Sequence, residues 1–212
     1  PAKSNGIENY FQNMDNGDDM NDNEEKLGTI SDKKNSVINF LVKMNTPEYL
    51  EDKSPVIGRD DVIDDAIMTF CRRSKNNVLL VGHPGVGKTA IGHEMARRIM
   101  SGNVPDKFKN CDIYSVDMGE LIAGSYMRGM LEERIALIGK KLKGTNSVLF
   151  IDDIHTAVGS GRGSQQSEIS GLLRSLLDNN DIKIMAITSW DAYRKYIETD
   201  SIIGHRFNRI VV

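Results

Sequence analysis

The stretch Gly82-His83-Pro84-Gly85-Val86-Gly87-Lys88-Thr89 constrains this chain more than any other. It fits the pattern G-x-x-x-x-G-K-[ST], directly after the apolar run Asn77-Val78-Leu79-Leu80-Val81 and directly before a helical pattern that reaches Met100. Those flanks are what a phosphate-cradling P-loop requires. Glycines let successive N–H groups turn into one concavity, and the helix start adds positive dipole. A lysine reaches the terminal phosphates, and a threonine hydroxyl is offered to magnesium.

Further short apolar runs follow: Ile113-Tyr114-Ser115-Val116, Val148-Leu149-Phe150-Ile151, Ile182 to Ile187, and Ile210-Val211-Val212. Each reads as a strand buried on both faces. Helical patterns lie between and before them. Asp60–Arg73 carries Ile63, Ala66, Ile67 and Phe70 on one face, and Thr89–Met100, Met130–Leu142 and Glu168–Leu177 follow. Strands alternating with amphipathic helices predict an α/β fold with a five-stranded parallel sheet between helices. Residues 55–212 are expected to form this core. Residues 1–38 are polar, rich in Asn and Asp and aperiodic, so they read as a flexible acidic arm, and 39–54 as a linker in which Pro47 stops any helix.

Composition narrows the function classes. A chain with 39% hydrophobic and 27% charged residues is neither wholly disordered nor collagen-like, and no run approaches the roughly 20 apolar residues of a membrane helix. Pro1–Phe11 has no charged and apolar segments of the kind a secretory signal carries, so a cytoplasmic protein without membrane contact is the expectation. The net charge of −3 is uneven: residues 1–26 carry −5 and the remainder +2. A nearly neutral body without a basic stripe argues against nucleic acid as a partner. Two cysteines, Cys71 and Cys111, are too few for a disulfide framework or a four-ligand metal site, and both read as buried thiols. His83 and His155 lack partners at ligand spacing and are expected to pack or hydrogen-bond.

A P-loop needs acids at the end of a second buried strand, and Val148-Leu149-Phe150-Ile151-Asp152-Asp153 supplies them. Adjacent carboxylates after four apolar residues repel one another and must be solvated or engaged. Asp152 is placed to hold magnesium with Thr89, and Asp153 to polarise the attacking water. Thr188, closing the Ile182–Ile187 run, would lie beside the strand of Asp152 and could orient water near the terminal phosphate. Arg206 could reach a neighbouring subunit's phosphate.

Taken in order, Ser54-Pro55-Val56-Ile57-Gly58-Arg59, Lys75-Asn76-Asn77, the loop ending Gly87-Lys88-Thr89-Ala90-Ile91 and Ile151-Asp152-Asp153-Ile154-His155-Thr156 resemble the first ATPase domain of Clp-type AAA+ unfoldases. Within that family the ClpA branch looks closest, and the likeness covers about Asn39 to Val212. The resemblance implies ATP and Mg²⁺ as ligands and a ring, normally a hexamer, that threads protein substrates through a pore and hands them to a protease partner or refolds them. It places Val56 and Ile57 beside adenine, and Gly82, Pro84, Gly85, Val86, Gly87, Lys88, Thr89 and Ala90 around the phosphates. Asp152 takes the Walker B acid position, Thr188 the sensor and Arg206 the finger to the next subunit, while Tyr126, Met127 and Arg128 match the substrate-gripping pore loop.

This sequence departs from the family in ways that bear on activity. Asp153 stands where the family has Glu, which moves the carboxylate by roughly 1.5 Å. Tyr126 comes one place early in the pore loop, and His205 replaces an arginine before Arg206-Phe207. The sequence ends where the helical lid would begin, which reads as a truncated or reduced relative. Two functions follow: an ATP-hydrolysing module of a protein-remodelling machine, or an ATP-binding assembly or regulatory protein of a Clp-like ring that hydrolyses little.

Overall fold

The computed structural model describes residues 40–123, 129–159, 164–179 and 181–212. The arm expected over 1–38 and the pore-loop residues Tyr126, Met127 and Arg128 lie outside them.

Six strands form one sheet in the order β1-β3-β4-β5-β2-β6: β1 Leu41–Lys43, β2 Asn77–Val81, β3 Asp112–Asp117, β4 Ser147–Asp152, β5 Lys183–Thr188 and β6 Phe207–Val211. The five strands β2 to β6 run parallel, as their apolar runs predict. The sixth, β1, corrects the sequence reading, because it comes from the stretch taken for a linker and pairs antiparallel with β3, Leu41 opposite Val116. Leu41 and Met44 are buried there, and the Asn45 side chain bonds both Cys111 O and Ile113 N, at 3.0 and 3.1 Å. Three residues carry too little periodicity to read as a strand.

Alternate residues of each central strand face opposite layers. Leu79, Val81, Leu149, Ile151, Ile184 and Ala186 pack with the helices after β3 and β4, whereas Val78, Leu80, Val148, Phe150, Met185 and Ile187 pack with the helices flanking β2. On the second face lie α2 (Asp60–Phe70), whose stripe Ile63, Ala66, Ile67 and Phe70 is buried as predicted, and α3 (Lys88–Ser101); a short α1 (Pro47–Leu50) precedes them. The first face carries α4 (Met118–Ala123), α5 (Met130–Leu142), α6 (His155–Gly159) and α7 (Ser164–Asp178). Full burial of a side chain such as Phe70 contributes about 1.5–3 kcal/mol.

The contact between α3 and β4 is close. An added Cβ at Gly92 would lie 2.4 Å from the Phe150 ring, so only glycine lets the helix sit on that strand. Cys111 is buried, its thiol pushed up to about 11 mainly by desolvation. Cys71 is exposed, contrary to the sequence reading, because it caps α2 one residue beyond the buried stripe. No helix among the described residues is long and apolar enough to cross a membrane.

Candidate nucleotide site

The chain leaves β2 toward β3 on one side of the sheet and returns as β6 on the other, so the carboxyl end of β2 opens onto a crevice between diverging connections. The loop Gly82–Thr89 lies at that point. Gly85 and Gly87 hold φ values of 79° and 94°, the left-handed region in which glycine carries no Cβ penalty. The loop thereby curls around its own lysine. The Lys88 ammonium donates to the carbonyls of Gly82 and His83 at 3.1 and 2.8 Å, and the residue is buried.

Thr89, in the first turn of α3, donates from Oγ1 to Asp152 Oδ2 at 3.1 Å. A hydroxyl and a carboxylate brought together from separate elements form a hard oxygen pair that suits Mg²⁺. Among the described residues no group of three or more His, Cys, Asp or Glu is placed to hold a metal. Thr89 and Asp152 would suit a magnesium ion that drew its remaining ligands from phosphate and water. Burial pushes the Asp152 carboxyl above the usual carboxylate range; the Thr89 hydrogen bond opposes this, neighbouring Asp153 adds to it, and Lys88 pulls against it.

Asp153 leaves the strand with φ 46°, a left-handed conformation that Asp adopts more readily than most residues. The following turn is closed by Thr156 N donating to Asp153 O at 2.8 Å, and it brings His155 back over the strand ends. Thr188, fully buried at the end of β5, has its Oγ1 3.3 Å from His155 Nδ1, and its carbonyl accepts from Gly82 N at 3.4 Å. The expectation that Thr188 lies on the strand beside that of Asp152 holds, since β4 and β5 pair with Ile151 opposite Ala186. His155 hydrogen-bonds, as expected, although its spacing gave no sign of which partner.

Elsewhere the predicted residues are more scattered. Ile57 is 92% exposed and Val56 half-buried, the latter donating its N–H to Glu94 Oε2 at 3.3 Å. Arg206 lies at the opposite end of the sheet, where Phe207 pairs with Asn77, the first residue of β2. The five residues of β2, Asn77–Val81, separate it from the P-loop, about 17 Å. Its guanidinium pairs with Asp178 at 2.6 Å beside a cavity of about 450 Å³ that Lys75, Asn77 and His205 also line. Sequence reasoning missed Asp178, which carries no motif. It also missed Tyr49, whose phenol is 3.4 Å from His93 Nε2 and is raised chiefly by burial and further by the charge of Asp152.

Residues 78–211 match the model of the ATPase family associated with various cellular activities (AAA). The chain belongs to the AAA ATPase family. Within it, this AAA domain is 42% identical over 158 residues to the mitochondrial chaperone protein ClpB3 of Oryza sativa subsp. japonica, covering 74% of this chain and 16% of that protein. It is 45% identical over 160 residues to chaperone protein ClpB 2 of Nostoc sp., again over 74% of this chain and 18% of the relative. A structure of the S. cerevisiae Hsp104-ADP complex superposes with a TM-score of 0.72 at 33% identity, covering 83% of this chain and 30% of that one. The AAA domain thus spans less than a fifth of the length of these two curated relatives. The Clp-type resemblance holds, but these relatives are ClpB proteins where the sequence pointed to ClpA. Two of the motifs that carried the likeness, the loop ending Gly87-Lys88-Thr89 and the run through Asp152-Asp153, meet at the P-loop end of the sheet, where phosphate chemistry makes the same demands on either branch.

Proposed function

We propose that this AAA domain binds ATP with Mg²⁺ and hydrolyses it as the nucleotide module of a Clp-type chaperone that remodels protein substrates. The observation that carries this is the 3.1 Å pairing of Thr89 with Asp152 beside the buried Lys88. In this reading Lys88 and the loop N–H groups bind the phosphates, while Val56 and Ile57 flank the adenine. Thr89 and Asp152 hold the magnesium ion, which when bound neutralises phosphate charge. Asp153 accepts the proton of the attacking water, and Thr188 orients that water toward the terminal phosphorus. Arg206, remote from its own P-loop, serves the site of an adjacent copy in a ring, of which a hexamer is the expected form.

The protein substrates, a pore loop at Tyr126, Met127 and Arg128, and a cytoplasmic setting belong to the same proposal. A second reading, tight ATP binding with little turnover, is favoured by Asp153: its carboxylate is short, 60% exposed and 3.7 Å from His155 Nδ1. ATP turnover by the assembled protein beside an Asp153→Glu variant separates the two. Near-zero wild-type turnover despite tight binding sinks the motor reading.

A further inference from the structure

Asp153 and Thr188 come from different strands, and one ring nitrogen faces both. His155 Nδ1 lies 3.3 Å from Thr188 Oγ1 and 3.7 Å from Asp153 Oδ1. An imidazole nitrogen either donates one hydrogen bond or accepts one, so it cannot serve both partners fully. The first distance is within hydrogen-bond range and the second lies beyond it. The ring is therefore held by Thr188, with the carboxylate waiting beside it.

Three connections make this more than a surface contact. Thr188 is fully buried, so the direction of its hydroxyl is set by the group it bonds. The Thr188 carbonyl also receives the N–H of Gly82, the first residue of the P-loop. And Ile154 N donates to Ile187 O at 3.1 Å, which locks the turn carrying His155 to the strand carrying Thr188. The imidazole closes a loop of contacts running from the P-loop through Thr188 to Asp153.

Resting on the ATP-binding reading above, we propose that His155 is a positioning residue: it aims the Thr188 hydroxyl and the Asp153 carboxylate at the terminal phosphate of bound ATP. Both aimed groups lie at the strand ends that face the phosphates, whereas the loop N–H groups and Lys88 contact any nucleotide. Loss of the ring therefore weakens what distinguishes ATP from ADP and leaves ADP binding intact.

The test is titration of the 212-residue chain with ADP and with ATPγS, each with Mg²⁺, for wild type, His155→Ala, His155→Asn and His155→Gln, alongside steady-state ATP turnover. For His155→Ala the expected result is an ATPγS affinity about fivefold weaker, the worth of one net hydrogen bond, with ADP affinity within about twofold of wild type. Turnover is expected to fall in kcat by about tenfold or more with KM little changed. Asn places a polar atom near the position of Nδ1 and Gln near that of Nε2. Asn should thus restore the ATPγS-to-ADP preference and Gln should not, a contrast that also decides the matter if His155→Ala loses ADP binding by misfolding. An unchanged preference in the Ala variant, or equal behaviour of Asn and Gln, overturns the proposal. A wild type that binds both nucleotides but turns over no ATP removes the hydrolysis reading alone, because the affinity preference still decides the role of His155.

Discussion

The two ends of the parallel sheet solve opposite problems. At the carboxyl ends of the strands, Lys88 bonds the Gly82 and His83 carbonyls, Thr89 pairs with Asp152 and His155 with Thr188, all within one chain. At the amino end of β2, the Arg206 guanidinium pairs with Asp178, both side chains are about half exposed, and the P-loop is out of reach. One end is assembled in advance; the other carries the arginine that the reading proposed above assigns to an adjacent copy. A surface ion pair of this kind contributes at most about 1 kcal/mol, so it restrains the arginine without committing it.

Complementation gives the sharpest break of that comparison. Arg206→Ala should leave nucleotide affinity within about twofold and lower turnover about 1,000-fold, the scale of an arginine finger. Lys88→Ala should abolish nucleotide binding. Mixing the two variants should restore part of the turnover, because each protomer supplies what the other lacks; no recovery places Arg206 outside the reaction. Next in size, Asp153→Asn should lower kcat about 100-fold while keeping thermal stability, since Asn also tolerates the left-handed backbone at that position.

Gly92→Ala tests how far the pre-assembled end depends on packing. The added methyl must displace Phe150, and urea titration should show a loss of about 1–3 kcal/mol. Asp152→Asn probes the same end electrostatically. With its folded pKa raised, Asp152 favours folding below the ordinary carboxylate value near 4, and that contribution is lost as pH rises through the folded value. At pH 7 the Asn variant should therefore melt higher than wild type in calorimetry without nucleotide, while losing magnesium-supported turnover. The smallest effect is expected of Asp178→Ala: under 1 kcal/mol in stability, and turnover raised by no more than about twofold through release of Arg206.

Most of the parallel sheet was legible in advance, because strands buried on both faces need uninterrupted apolar runs, and helices covering them need a stripe. Met130–Leu142 emerges with the predicted bounds, and Ile63, Ala66, Ile67 and Phe70 are buried. Asp152 and Thr89 were readable as partners because phosphate chemistry dictates both types at fixed places. What escaped was set by turns and by partners distant in sequence. β1 is three residues long and depends on β3 for its pairing. His155 gains its role from the left-handed step at Asp153, which no spacing rule anticipates. Asp178 meets Arg206 only through the packing of α7 near the start of β6.

The glycine beneath Phe150 also has a mechanical meaning. With helix backbone resting on an aromatic ring, α3 cannot slide along β4 without forcing the two into the same space. The lysine and threonine at the start of that helix and the aspartate at the end of that strand consequently travel as one block. Whatever distinguishes one nucleotide state from another must therefore leave through the parts joined to this block, not through a slide of α3 on β4.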